Sequence, residues 1–232
     1  MKSPADHLRV LAGLQALYGN PAAPRLTDPY KMILRRLSGY PQSEANCDLG
    51  FAALRRDIGL EPEEILGAPI AKLAAALRHG GMVPELRARR LHEVARRIID
   101  DYDGNLRTVL RLPLAEAKKR LRSFPTIGES TAEQILLFNR VAPVAALPSN
   151  CLHVPLRLGF GLERKSWSSS YREAQATLAA ALPGDIPGQI RAYLLFKRHG
   201  HELCKLKSPQ CARCPLTADC NYPAKAKSPP QP

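Results

Sequence analysis

Four cysteines fall within seventeen residues near the C-terminal end, spaced Cys204-x6-Cys211-x2-Cys214-x5-Cys220. A segment with thiols at that density has to close on itself, around a shared metal centre or through a pair of disulfides. The chain reads as cytoplasmic, where thiols stay reduced, and this favours ligands over disulfides. Zinc modules usually carry two close pairs of ligands; here there is one close pair, and outer spacings of six and five leave loop length for a larger cubane, with zinc the alternative. Pro209 and Pro215 shape the loop, while Lys205, Lys207 and Arg213 offset the charge of a thiolate-held centre and offer cations to a phosphate backbone. Cys47 and Cys151 stand apart and read as small buried thiols.

Elsewhere apolar residues recur at spacings of three and four, and alternating β-branched runs are missing, so the chain is expected to be all-α. Helices are expected over 4–18, 29–38, 45–58, 61–66, 70–78, 84–102, 114–123, 129–139, 150–158, 169–182 and 187–199, with short Pro, Gly or Asn punctuation between them. The first segment has Lys2 and Arg9 beside an apolar run, as a secretory leader would, but Ser3, Pro4 and Asp6 are helix-start residues. Leu8, Leu11, Leu14, Leu17 and Tyr18 then follow at helical spacing, so a folded helix is expected. The uncharged stretch from Val141 to Leu156 is too short and too rich in proline to span a bilayer. Residues 223–232 read as a disordered tail.

Charge narrows the partner. Lys and Arg number 34 against 21 Asp and Glu, a net +13, and Arg78 to Arg122 alone holds twelve cations against six anions. Such a concentration points to a polyanion.

Within that basic stretch, 114–122 reads as a helix, Phe124-Pro125-Thr126-Ile127-Gly128 as a tight turn and 129–138 as a second helix. Exposed amides at such a turn, with the partial positive charge of the following helix N-terminus, can hold a phosphate without reading a base. Gly128 supplies one turn glycine, whereas Thr126, a β-branched residue, resists the positive φ a first glycine would allow.

The sequence F-P-T-I-G-E-S-T-A at 124–132, L-P-S-N at 147–150 and H-G-x3-C-x6-C-x2-C-x5-C at 199–220, with D-P-Y-K at 28–31 and R-A-R-R-L at 87–91, resembles the helix-hairpin-helix DNA glycosylases of the endonuclease III superfamily. The resemblance covers roughly Asp28 to Cys220. It implies a two-domain fold: a six-helix barrel domain at 24–141, and an iron–sulfur domain of 1–23 with 142–222 holding a [4Fe–4S] cluster through Cys204, Cys211, Cys214 and Cys220. The implied partner is double-stranded DNA with a damaged or abasic site, bound by a monomer in the cytoplasm, at the nucleoid in a bacterium, with no membrane involved. Tyr40 lies near where the family inserts a side chain into the gap left by a flipped base. The implied DNA contacts are Tyr40, Thr126, Gly128, Ser130, Lys205, Lys207 and Arg213.

The resemblance also implies a catalytic carboxylate and, in strand-nicking members, a Schiff-base lysine. Their positions hold Pro148 and Ser130, and the extra glutamate of the adenine-excising branch falls at Arg36. The implied activity is therefore monofunctional N-glycosidic hydrolysis, with Glu133 the weak substitute catalyst; the alternative is a catalytically silent lesion-binding protein. Glu129 and Glu133 otherwise read as surface residues complementing the helix dipole, Lys118 and Lys119 as a solvated patch, His153 as a packed histidine, Asn150 as a helix cap and Trp167 as a core residue.

Overall fold

The structure, a computed structural model, describes residues 2–39 and 43–222. Among them the chain is all-helical, and it divides into two compact units: the described residues of Met1–Ala23 and Ala142–Pro232, and Pro24–Val141. Tyr40 and the tail at 223–232 lie outside the described residues.

Pro24–Val141 contains α2 (Pro29–Leu37), α3 (Glu44–Asp57), α4 (Pro62–Gly67), α5 (Ile70–Leu77), α6 (Pro84–Tyr102), α7 (Leu114–Arg122) and α8 (Glu129–Phe138). Six of these have eight or more residues, and α4 is a short addition of six. The starts follow local chemistry: Asp28 accepts from the Lys31 amide with Pro29 at the first helical position, and Ser43 accepts from the Asn46 amide. Helix α6 packs on α4 and α5 around a core that includes Leu34, Leu54, Leu77, Leu91, Ile98 and Leu136.

Arg87 from the R-A-R-R-L stretch lies inside this unit, 1% exposed. Its guanidinium donates to the carbonyls of Met82 (2.9 Å), Leu77 (2.8 Å), Gly81 (2.6 Å) and Ser38. Burial lowers its pKa from the ordinary arginine value. The four carbonyls replace the water that a buried cation loses, and one side chain thereby ties the ends of α2 and α5 to the loop entering α6. Gly80 is required here, since a Cβ on it would overlap the Ser38 carbonyl oxygen.

The other unit contains α1 (Pro4–Tyr18), α9 (His153–Arg157), α10 (Trp167–Ala181), α11 (Ile186–Glu202) and the cysteine segment. Ser3 and Asp6 form a reciprocal capping box at the start of α1. The buried face of α1 is His7, Val10, Leu11 and Leu14, whereas Leu8 and Leu17, expected on that face, are exposed. Against it pack Val154, Phe160, Tyr171, Leu178 and Phe196. The helix expected over 150–158 is a 3-10 turn, Ser149–Cys151, followed by the short α9, with Pro148 ahead of them and Pro155 within. Asn150 is not a helix cap; its side chain lies 3.4 Å from His201 Nε2. Cys47 and Cys151 are buried, and Cys151 Sγ lies 3.8 Å from the Lys197 carbonyl.

Candidate nucleic-acid interface and cysteine centre

Two constellations stand out, one in each unit. The first is the hairpin α7–turn–α8. Phe124 and Ile127 anchor the turn in the core, and Phe124 N–H and Ile127 N–H donate to the Leu121 and Phe124 carbonyls at 3.2 Å each. From α6, Arg97 donates to the Ser123 carbonyl (2.8 Å) and hydroxyl (2.7 Å), and its guanidinium stacks 4.2 Å over the Phe124 ring. The turn is therefore braced from behind.

Left-handed backbone falls on Thr126, at φ +64°, and not on the glycine. Its Oγ1 is buried without a hydrogen-bond partner. Gly128 is the N-cap of α8 at φ −85°, where no side chain caps the helix, and a Cβ built on it meets open space. Gly128 is thus not needed for backbone conformation; what its missing side chain leaves is unobstructed approach to the first turn of α8. Exposed Lys119 and Arg122 flank a concavity that Lys118, Ser123 and Glu129 also line.

Three sequence expectations are revised here. Glu133 is not a surface residue: it is fully buried and ion-paired with Lys118, so it serves as an internal strut between α7 and α8 and presents no surface to a substrate. Lys118 is accordingly not a member of a freely solvated pair, being only 27% exposed and held by that carboxylate. Ser130, three residues before Glu133, is also buried. The burial of Glu133 was not legible from α8 alone, because its Lys118 partner comes from α7, a tertiary contact.

The second constellation is the cysteine segment. Cys204, Cys211, Cys214 and Cys220 are free, half-buried and line one cavity with Arg157, Leu158, His199 and Leu203. Arg157 Nη1 lies 3.4 Å from Cys204 Sγ, and the same side chain donates to the Lys205 (3.1 Å) and Leu206 (2.9 Å) carbonyls, so it shapes the loop as it touches the sulfur. Burial pushes the Cys204 and Cys214 thiols up, and Arg157 pulls that of Cys204 back. His199 is buried and brought down to about 4 by desolvation, hence neutral, with Nε2 3.7 Å from Cys214 Sγ and Nδ1 2.9 Å from the Tyr18 hydroxyl. His153 is packed, with Nε2 2.6 Å from the Cys204 carbonyl, and burial lowers its pKa. No three His, Cys, Asp or Glu side chains among the described residues are drawn together as the ligands of one metal ion would be. Lys205, Lys207 and Arg213 are all exposed. Pro148 is buried at the start of the 3-10 turn, a position with no ionisable group to offer.

The architecture, an all-helical chain with a helix-hairpin-helix in one unit and a cysteine loop in the other, is the endonuclease III-like glycosylase fold. No family model matches the chain. It is 26% identical to endonuclease III of Bacillus subtilis over 159 residues, 68% of this chain and 66% of that protein, slightly under two thirds of the relative's length. It is 23% identical to endonuclease III of Sulfolobus acidocaldarius over 83% of this chain and 82% of that one. Among solved structures, an endonuclease III trapped as a covalent DNA intermediate superposes with a TM-score of 0.73 at 21% identity, covering 95% of this chain and 96% of the other. A thermostable thymine-DNA glycosylase superposes at 0.71 with 18% identity, over 94% and 96%. The chain is endonuclease III-like in sequence and in fold. Among the described residues no helix is long and apolar enough to cross a membrane.

Proposed function

We propose that this chain is a base-excision-repair DNA glycosylase of the endonuclease III type that binds duplex DNA at damaged or abasic sites and does not nick the strand. The likeness to endonuclease III in sequence and fold supports the class. The observation that carries the finer reading is Ser130 in the first turn of α8, at the position where strand-nicking members of the family hold lysine. A hydroxyl forms no Schiff base, so breakage of the sugar–phosphate backbone by β-elimination is not open to it. Phosphate is held at the uncapped α8 terminus beside Lys119 and Arg122. Lys205, Lys207 and Arg213 are exposed cations open to a phosphate backbone.

One observation favours a second reading, a lesion-binding protein without chemistry. Pro148 brings no carboxylate, and Glu133 is fully buried against Lys118. Single-turnover excision on duplexes carrying uracil, oxidised purines, oxidised pyrimidines, alkylated bases or an abasic site separates the two. Nicks that appear only after alkali support the glycosylase. Tight abasic-site binding with every lesion left intact supports the silent reading, and nicking without alkali refutes both.

The four cysteines fit a [4Fe–4S] cluster by donor chemistry: four free thiols on one cavity, with the Arg157 guanidinium beside Cys204 to offset anionic charge and the neutral His199 ring beside Cys214. Such a cluster would cross-link the 204–220 segment and so hold Lys205, Lys207 and Arg213 in a fixed arrangement. Iron and acid-labile sulfide at about four per chain, lost in Cys214→Ser, are expected; stoichiometric zinc in colourless protein refutes it.

A further inference from the structure

The only tryptophan in the chain, Trp167, was expected in the core and is 44% exposed. It is the first residue of α10, and its ring stacks on Tyr171 with centroids 4.9 Å apart and planes 21° from parallel. Tyr171 is itself fully buried, and its hydroxyl accepts from the Leu147 amide at 3.2 Å. The indole is therefore mounted on a rigid base. An exposed aromatic of this size carries an apolar cost.

Trp167 lines a groove of about 600 Å³ that lies wholly within the unit of α1 and α9–α11. Leu162 and Leu206, exposed by 49% and 61%, add apolar surface to the same groove. Its charge is asymmetric: Arg157, Arg164 and Lys165 line it with Glu163, and with Glu173 paired to Arg164 a surplus of one cation is left. The rim is also held in place. Glu173 pairs with the Arg164 guanidinium and accepts from the Leu162 amide at 2.9 Å, and Ser170 Oγ accepts from the Arg164 amide at 2.8 Å.

A fixed aromatic face, apolar walls and surplus positive charge are the elements with which a protein holds an unpaired nucleic-acid strand, bases stacked on the ring and phosphates at the rim. An intact duplex stacks its bases on one another, whereas an unpaired strand offers their faces to such a ring. We infer that the groove beside Trp167 binds single-stranded DNA, separately from the phosphate site at the hairpin. The inference uses none of the residues on which the excision reading depends, and it stands or falls apart from it.

Because Trp167 is the sole tryptophan, its emission reports on this groove alone. The experiment titrates the full chain with a twelve-residue oligothymidylate while following tryptophan fluorescence, and follows a labelled oligonucleotide by anisotropy in parallel. Saturable quenching that coincides with the anisotropy change is expected. Trp167→Ala should weaken binding about 5- to 150-fold, and Trp167→Phe, which keeps a stacking ring and the fold, should restore most of it. Gly128→Val should leave the quenching in place. Binding of the oligonucleotide without quenching, equal quenching by heparin, or unchanged affinity in Trp167→Ala overturns the inference. Tighter binding of oligouridylate by tenfold or more overturns the assignment to DNA.

Discussion

Thr126→Gly should stabilise the protein, which is uncommon for a substitution that removes a partly buried side chain. Thr126 holds φ +64° with a branched Cβ, and left-handed backbone costs an L-residue about 1–2 kcal/mol. Its Oγ1 is buried with no partner, a penalty of about 1–3 kcal/mol that disappears with the hydroxyl. Against these stand about 0.5–1 kcal/mol for the greater freedom of glycine in the unfolded chain, and roughly 1 kcal/mol for the lost methyl contact. The balance is a gain a little under about 2 kcal/mol, which for a chain of this size raises Tm by roughly 4–7 °C. Thr126→Ala separates the contributions, because it removes the hydroxyl and keeps the Cβ; it should recover only the part due to the unpaired oxygen. Urea unfolding with a constant m-value, together with thermal scans of the three proteins, measures this. A lower midpoint for Thr126→Gly would refute the assignment of strain to this residue, and equal midpoints for the Gly and Ala variants would mean that strain relief only offsets the greater freedom of glycine in the unfolded chain.

Gly128→Val should change the unfolding midpoint by less than about 0.5 kcal/mol, since φ is −85° and the added Cβ meets open space. It should nonetheless weaken duplex binding at least about tenfold by blocking the α8 terminus; unchanged anisotropy titrations would count against the phosphate site. Arg87→Met should destabilise by about 3 kcal/mol or more, because four backbone carbonyls lose their donor in the interior. A loss below about 1 kcal/mol in urea titration would mean that the carbonyls find other donors. Lys118→Met removes the Lys118 ammonium from the buried Glu133 carboxylate and should cost about 2–3 kcal/mol, discounted from the fully buried case because Lys118 is partly solvated. Lys118→Arg should retain most of that stability, and equal losses in the two variants would show that the charge is not what matters.

The hairpin illustrates how the two kinds of residue divide the work. Arg97 and the buried faces of Phe124 and Ile127 hold the turn, so the conformation that glycine would adopt freely is imposed on Thr126 by its surroundings. Gly128 then contributes by what it leaves open.

Much of this protein was legible along the chain because the signals are local. Helix periodicity and start residues such as Ser3, Asp28 and Ser43 act within a turn or two, and the structure has helices close to the expected spans. The hairpin and the Cys204 to Cys220 spacing are also contained in short segments, which is why their likeness to known proteins could be seen at all. What only the tertiary structure decided concerns which way side chains face once segments pack. Glu133 looked like a first-turn surface carboxylate until α7 closed over it with Lys118. Trp167 looked like core until its indole came to rest on Tyr171 at the edge of a groove. Arg87 reads as one more cation in a basic run, yet the loop from Leu77 to Met82 and the end of α2 fold around it. The physical reason is common to all three: the burial of a charge or a large ring depends on partners distant in sequence, and no local pattern encodes them.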